Sequence, residues 1–226
     1  MSIPNIVLLI AGLINLIMSI VVFKRGKHSK IHLYFAALTF FAFLWSLGLL
    51  FSRSVIDLQL TSIFNRSTYI SALAIIISLL YFTIHFPYKN AVLKTWQKLI
   101  IWLPASILSI LIYTPWFITS FVSQYSQTEF VSYYYSPVFL VYIIYFVTIA
   151  LWAIYYLWRK YKSTEGYDHK KIKLLLVTIV IGLIFGSYFD LFILYFGNFK
   201  YNWLGPIFTV FMNYVVFYFI FLSKDK

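Results

Sequence analysis

The sequence predicts an all-α membrane protein: a seven-transmembrane-helix bundle with its N-terminus outside and its C-terminus cytoplasmic. Three observations predict it. First, 62% of the 226 residues are hydrophobic and only 11% are charged, too few charges to cover a soluble surface. Second, the charges cluster between apolar runs of about 20 residues, the length that crosses a bilayer core. Third, the clusters alternate in basicity along the chain, as the connections of a multi-pass protein do. The runs lack the alternation of barrel strands, and helices satisfy their own backbone in lipid. One bundle accounts for residues 1–226 as a single domain.

The first span, 4–23, has no positive charge before it and the cluster KRGKHSK after it. It therefore reads as a retained helix rather than a cleaved leader, with its C-terminal end held inside. Spans follow at 31–52, 59–86, 98–117, 137–158, 172–196 and 204–222. The inside segments then hold fifteen basic residues: Lys24, Arg25, Lys27, Lys30, Lys89, Lys94, Lys98, Arg159, Lys160, Lys162, Lys170, Lys171, Lys173, Lys224 and Lys226. The outside segments hold Arg53 and Lys200, and Arg66 lies within the third span. This asymmetry sets the orientation, and the expected location is the cell's inner (cytoplasmic) membrane. It also explains the net charge of +12 by anionic lipid headgroups rather than nucleic acid. Trp102, Trp116, Trp158, Trp203 and Tyr133–Tyr135 mark span ends as an interfacial belt.

Asp190 stands in the aromatic run GSYFDLFILYFG of the sixth span, about 9 Å below the outer surface. Arg66 enters the third span from the same surface to a similar depth. Each ion alone costs on the order of 3 kcal/mol in hydrocarbon by insertion scales. The expectation is an Arg66–Asp190 pair between spans three and six, serving as a structural clamp or as part of a ligand site. Asn65 and Tyr69, four residues apart on one face, complete the candidate ligand-binding set. Thr178, Gly182, Gly186 and Asp190 recur every four residues, so they form one inward stripe containing a GxxxG for close helix packing. Asn15 and Asn213, near the bilayer midplane, read as interhelical hydrogen-bond partners.

Several function classes are excluded. The seventh span has no lysine for a retinal Schiff base, and a single deep carboxylate cannot make an aspartyl protease. There is no cysteine, no HExxH and no Gly-rich phosphate loop. His32 and His85, at the inner ends of spans two and three, have no further ligand nearby. Glu165, Asp168 and His169 read as part of a solvated loop. No metal, cofactor or catalytic constellation is expected. A small transporter or channel stays open, although two matched halves would require matching Gly/Pro breaks. Pro104 and Pro115 fall in span four, and Pro137 and Pro206 at span starts, which is not that pattern.

Three motifs in order carry a family resemblance: LYFTIHFP at 80–87, LPASILSILIYTP at 103–115, and LGPIF at 204–208 with Tyr214 downstream. On these the chain resembles the N-terminal seven-helix membrane region of bacterial sensor histidine kinases. The resemblance implies a sensory module whose last helix feeds a cytoplasmic output domain. No phosphoacceptor helix or ATP-binding domain follows Phe221, so the kinase function is not carried over. Where family members often place an amide in the sixth helix, this chain has Asp190. The expectation is a stand-alone receptor-like module that binds a small or lipidic ligand and signals to a separate cytoplasmic kinase or other partner. The segment RKYKSTEGYDHKK (159–171) is the candidate docking surface.

Overall fold

In the computed structural model, residues 2–87, 92–123, 131–196 and 200–222 are described. Lys89, Lys224 and Lys226, and the side chains of Tyr133–Tyr135, lie outside that set. Seven helices follow one another: α1 (Ile3–Gly26), α2 (Lys30–Ser54), α3 (Leu58–His85), α4 (Thr95–Leu111), α5 (Pro137–Ser163), α6 (Gly166–Tyr195) and α7 (Asn202–Leu222). All except α4 are long and apolar enough to cross a membrane. α6 contains a π-helical turn at Tyr188–Phe192, and α7 ends in a second one at Phe217–Leu222.

The helices outrun the predicted spans because their ends continue past the apolar segment. The largest such difference falls at 159–171. This stretch is not an open loop: α5 runs on to Ser163 and α6 begins at Gly166. Gly166 takes φ 70° at the turn, a conformation that costs a residue with a Cβ more than glycine. The His169 ring closes the turn, its Nδ1 lying 2.8 Å from the Thr164 carbonyl oxygen.

At α4 the helix is shorter than the predicted 98–117. Pro115 has no N–H to donate to the Leu111 carbonyl, which instead accepts from the Thr114 N–H at 2.9 Å and the Thr114 hydroxyl at 2.7 Å. The chain then enters an antiparallel hairpin, β1 (Ile118–Ser123) and β2 (Val131–Tyr135). The sequence reading did not foresee this hairpin. Its only local signal is the β-branched and aromatic content of ITSFVS and VSYYY.

α3 is the central helix. Residues Ile75–Leu80 are buried without a break, the mark of a helix surrounded by others. α1 and α2 pack as successive antiparallel neighbours, tied by the Ser19 hydroxyl donating to the Ala36 carbonyl at 2.8 Å. Asn213 of α7 donates to Asn15 Oδ1 of α1 at 2.8 Å, so the two midplane amides are each other's partners. α4 lies at the edge, burying only Ile101, Ala105 and Leu108.

The C-termini of α1, α3, α5 and α7 gather at one end, where most of the basic residues lie. There Lys160 of α5 donates from Nζ to the carbonyls of Thr83, Ile84 and Phe86, at 2.8, 2.6 and 2.5 Å. Those carbonyls close α3, where four oxygens have no partner within the helix. Arg25 of α1 likewise donates to Phe221 O at 3.0 Å. We predict that Lys160→Met lowers the stability of the detergent-solubilised protein by about 1–3 kcal/mol, read from thermal unfolding, while Lys160→Arg retains most of it. An unchanged midpoint in Lys160→Met would show that this cap adds nothing.

Candidate functional site

The predicted ion pair is not formed. Arg66 turns away from α6 and reaches α4. Its guanidinium donates to the carbonyls of Ile112, Thr114 (2.7 Å) and Ile118 (3.3 Å), and its Nε donates to Ser62 Oγ at 3.1 Å. The reason is local. The unfinished C-terminus of α4 presents carbonyls with negative partial charge at the depth of Arg66, and a guanidinium has five donors in a planar fork. Arg66 thereby straps α4 and the start of the hairpin onto α3.

Asp190 sits instead against the beginning of α7. It is 8% exposed, and neither carboxylate oxygen accepts a hydrogen bond among the described residues. A Cβ built on Gly205 would lie 1.3 Å from Asp190 Oδ2. Gly205 opens the α-helical part of α7, followed by Pro206, so the glycine of the LGPIF motif makes room for this carboxyl group. That position is also the positive end of a helix, where amide dipoles favour an acidic side chain. Burial near a helix start replaces the predicted arginine as the setting of Asp190.

The predicted small-residue stripe faces α7. A Cβ on Gly182 would fall 3.0 Å from Met212, which makes Gly182 the point of close approach. On Gly186 it would meet only Thr209 Oγ1 at 3.9 Å. Gly186 therefore opens space rather than allowing contact, and that space is a cavity of about 60 Å³. Thr178, farther along the stripe, is buried.

Asn65, Tyr69 and Asp190 all line this cavity; Arg66 does not. Trp45 of α2, Tyr142 and Phe146 of α5, and Asn202 and Thr209 of α7 complete its important walls. The Tyr142 hydroxyl donates to the Tyr69 carbonyl at 3.0 Å, fixing α5 against α3. Asn65 is 3% exposed, and its Oδ1 lacks a hydrogen-bond partner among the described residues. Asn202 Oδ1 accepts from Arg53 at 2.9 Å. The sequence reading placed Arg53 in an outside connection; it is buried at the end of α2. Toward the basic end the cavity is lined by Ile75, Leu79 and Met212. A volume of this size holds one or two water-sized groups, well short of the several hundred Å³ of a typical small-molecule pocket.

The sequence analysis missed Trp45, Arg53, Asn202 and Gly205. Only Gly205 had a legible signal, the Leu-Gly-Pro motif. His32 packs edge-on against Phe221 at 4.9 Å, and His85 lies over Tyr34 at 5.1 Å. Among the described residues no group of three His, Cys, Asp or Glu side chains is placed to hold a metal.

A family model described as the N-terminal 7TM region of histidine kinase matches residues 7–224. The chain belongs to that family. Seven membrane spans are thus characteristic of the family, with the short α4 as the fourth, and the chain is a multi-pass membrane protein. The matched region is the membrane part of such kinases, not their catalytic part. Comparison with curated proteins finds no match. In this histidine-kinase membrane region, the cavity lies where α3, α5, α6 and α7 meet.

Because Arg66 and Asp190 share no partner, their substitutions are predicted to act independently. Arg66→Met should cost about 2–3 kcal/mol through the stranded α4 carbonyls. Combined with Asp190→Asn, the two effects should add within about 0.5 kcal/mol. A double-mutant cycle on thermal or denaturant unfolding measures this. Coupling well above that value would restore the direct pair.

Proposed function

We propose that this chain is a sensor module in which ligand occupancy of the cavity beside Asp190 moves α7 and thereby signals at the basic end. The carrying observation is that Asn65, Tyr69 and Asp190 share one cavity whose far wall is the start of α7. Arg66 contributes by holding α4 and the hairpin in place. Gly182 against Met212 and Asp190 against Gly205 make α6 and α7 fit closely at two levels. A group entering between them must displace one helix against the other, since packed interiors do not yield gradually.

The orientation that the basic residues support puts the end of α7 at the cytoplasmic face. There Phe221 packs on His32 and Phe35, each at 4.9 Å, and its carbonyl is held by Arg25. This end is the natural output, delivering a helix shift to a kinase or other signalling partner. The joined ends of α5 and α6, with their cluster of Lys and Arg, offer a docking surface beside it. A transporter or channel needs a polar path through both halves. The apolar lining at Ile75, Leu79 and Met212 favours the sensor.

The absence of cysteine permits clean double labelling. Nitroxides at Lys162→Cys and Leu222→Cys report the distance between the inner ends of α5 and α7. Adding Gly205→Ala, which forces Asp190 off its seat, should shift that distance by on the order of 1–2 Å. An unchanged distance distribution in folded protein would refute coupling between cavity and output end.

A further inference from the structure

The cavity's buried unpartnered groups share one chemical character. Asp190 offers two carboxylate oxygens and Asn65 offers Oδ1, all acceptors, and none receives a hydrogen bond among the described residues. Acceptors left without donors in a low-dielectric interior are costly, and they repel a carboxylate or phosphate. The nearby cations do not change this balance, since Arg66 is engaged on α4 and Arg53 on Asn202. Trp45, Tyr69, Tyr142 and Phe146 add aromatic surface around the acceptors, which suits a cation further.

A second feature gives the ligand its shape. An apolar groove of about 470 Å³ runs between α5 and α6 on the outside of the bundle, bordered by Ile143, Val147, Ile184 and Phe192. Ser187 and Leu191 line both this groove and the cavity. Ile184, Tyr188 and Phe192 are exposed there, which in a membrane-spanning bundle means facing lipid. The π-turn at Tyr188–Phe192 therefore lies between a largely apolar cavity that holds the Asp190 carboxyl group and a lipid-facing groove.

We propose that the site binds a single-chain cationic amphiphile. Its primary ammonium donates to Asp190 and Asn65 in the cavity, and its alkyl tail passes Ser187 into the groove between α5 and α6. Asp190 and Asn65 supply unpartnered acceptors, and the ammonium supplies donors. The small cavity accommodates the head, and the groove accommodates the chain. The ligand enters sideways from the bilayer, so no opening to water is required. This rests on the sensor reading of the cavity and adds to it the chemical class of the ligand.

The test uses the full chain in nanodiscs of zwitterionic lipid with tritiated dodecylamine, and with dodecanol and dodecyl sulfate as competitors. Saturable amine binding is expected for the wild type. Asp190→Asn and Ser187→Leu should each weaken it at least about tenfold, the first by removing the charge and the second by blocking the passage. Neither dodecanol nor dodecyl sulfate should displace the amine at matched concentration. Equal binding by Asp190→Asn, displacement by dodecanol, or no saturable binding would each overturn the proposal. Should Asp190→Asn fail to fold, Ser187→Leu alone decides it, and amine binding unchanged in that variant is the overturning result. Labels at positions 162 and 222 in the same samples separate the two readings. If the amine does not bind but Gly205→Ala still moves α7, the ligand class falls and the sensor stands. If neither occurs, both fall.

Discussion

The unpaired carbonyls at helix ends are the constraint on which this structure turns. Each helix leaves four of them without an internal partner, and side-chain donors or interfacial water must meet them. Three cations answer that need. Lys160 closes α3, Arg25 reaches the end of α7, and Arg66 closes α4. The first two belong to the basic end, where the odd-numbered helices finish. At that end the charge asymmetry that orients the chain and the negative ends of the helices favour the same residues. α4 finishes at the opposite end, where few basic residues lie, so its cation comes from within α3.

This use of Arg66 leaves Asp190 to be accommodated differently. It sits at the start of α7, in the space created by Gly205, on a π-turn of α6. A π-turn inserts a residue into the helix and is often found at functional sites. The same turn walls both the cavity and the lipid-facing groove. An acidic side chain without a dedicated cation, seated against a helix start, is a different arrangement from a clamped ion pair. A salt bridge would have locked α3 to α6. The observed arrangement instead places Asp190 at the contact between α6 and α7.

The candidate site was legible in part. Asp190, Asn65 and Tyr69 stood out because polar groups deep in an apolar run must face inward, and periodicity placed the first of them on a small-residue stripe. Depth also brought Arg66 to the right level. Depth says nothing about azimuth, however, and it does not include the carbonyls of a neighbouring helix among the possible partners. Trp45, Arg53 and Asn202 could not be found this way, since each enters the site from another helix whose rotation the sequence leaves open. Gly205 illustrates the intermediate case: its motif marked it, while its purpose appeared only with Asp190 beside it.

The sequence by itself determined the seven helices, their order, their approximate ends and the sidedness of the basic charge. These follow from local hydrophobicity and from the need of each segment to satisfy its own backbone in lipid. Tertiary structure alone decided which carbonyls received which cation. It also decided that the two midplane amides paired and that Asp190 looked into a cavity. These are contests between partners distant in the chain, settled by which donor and acceptor arrive within about 3 Å of each other. No pattern along a single helix encodes that arrival.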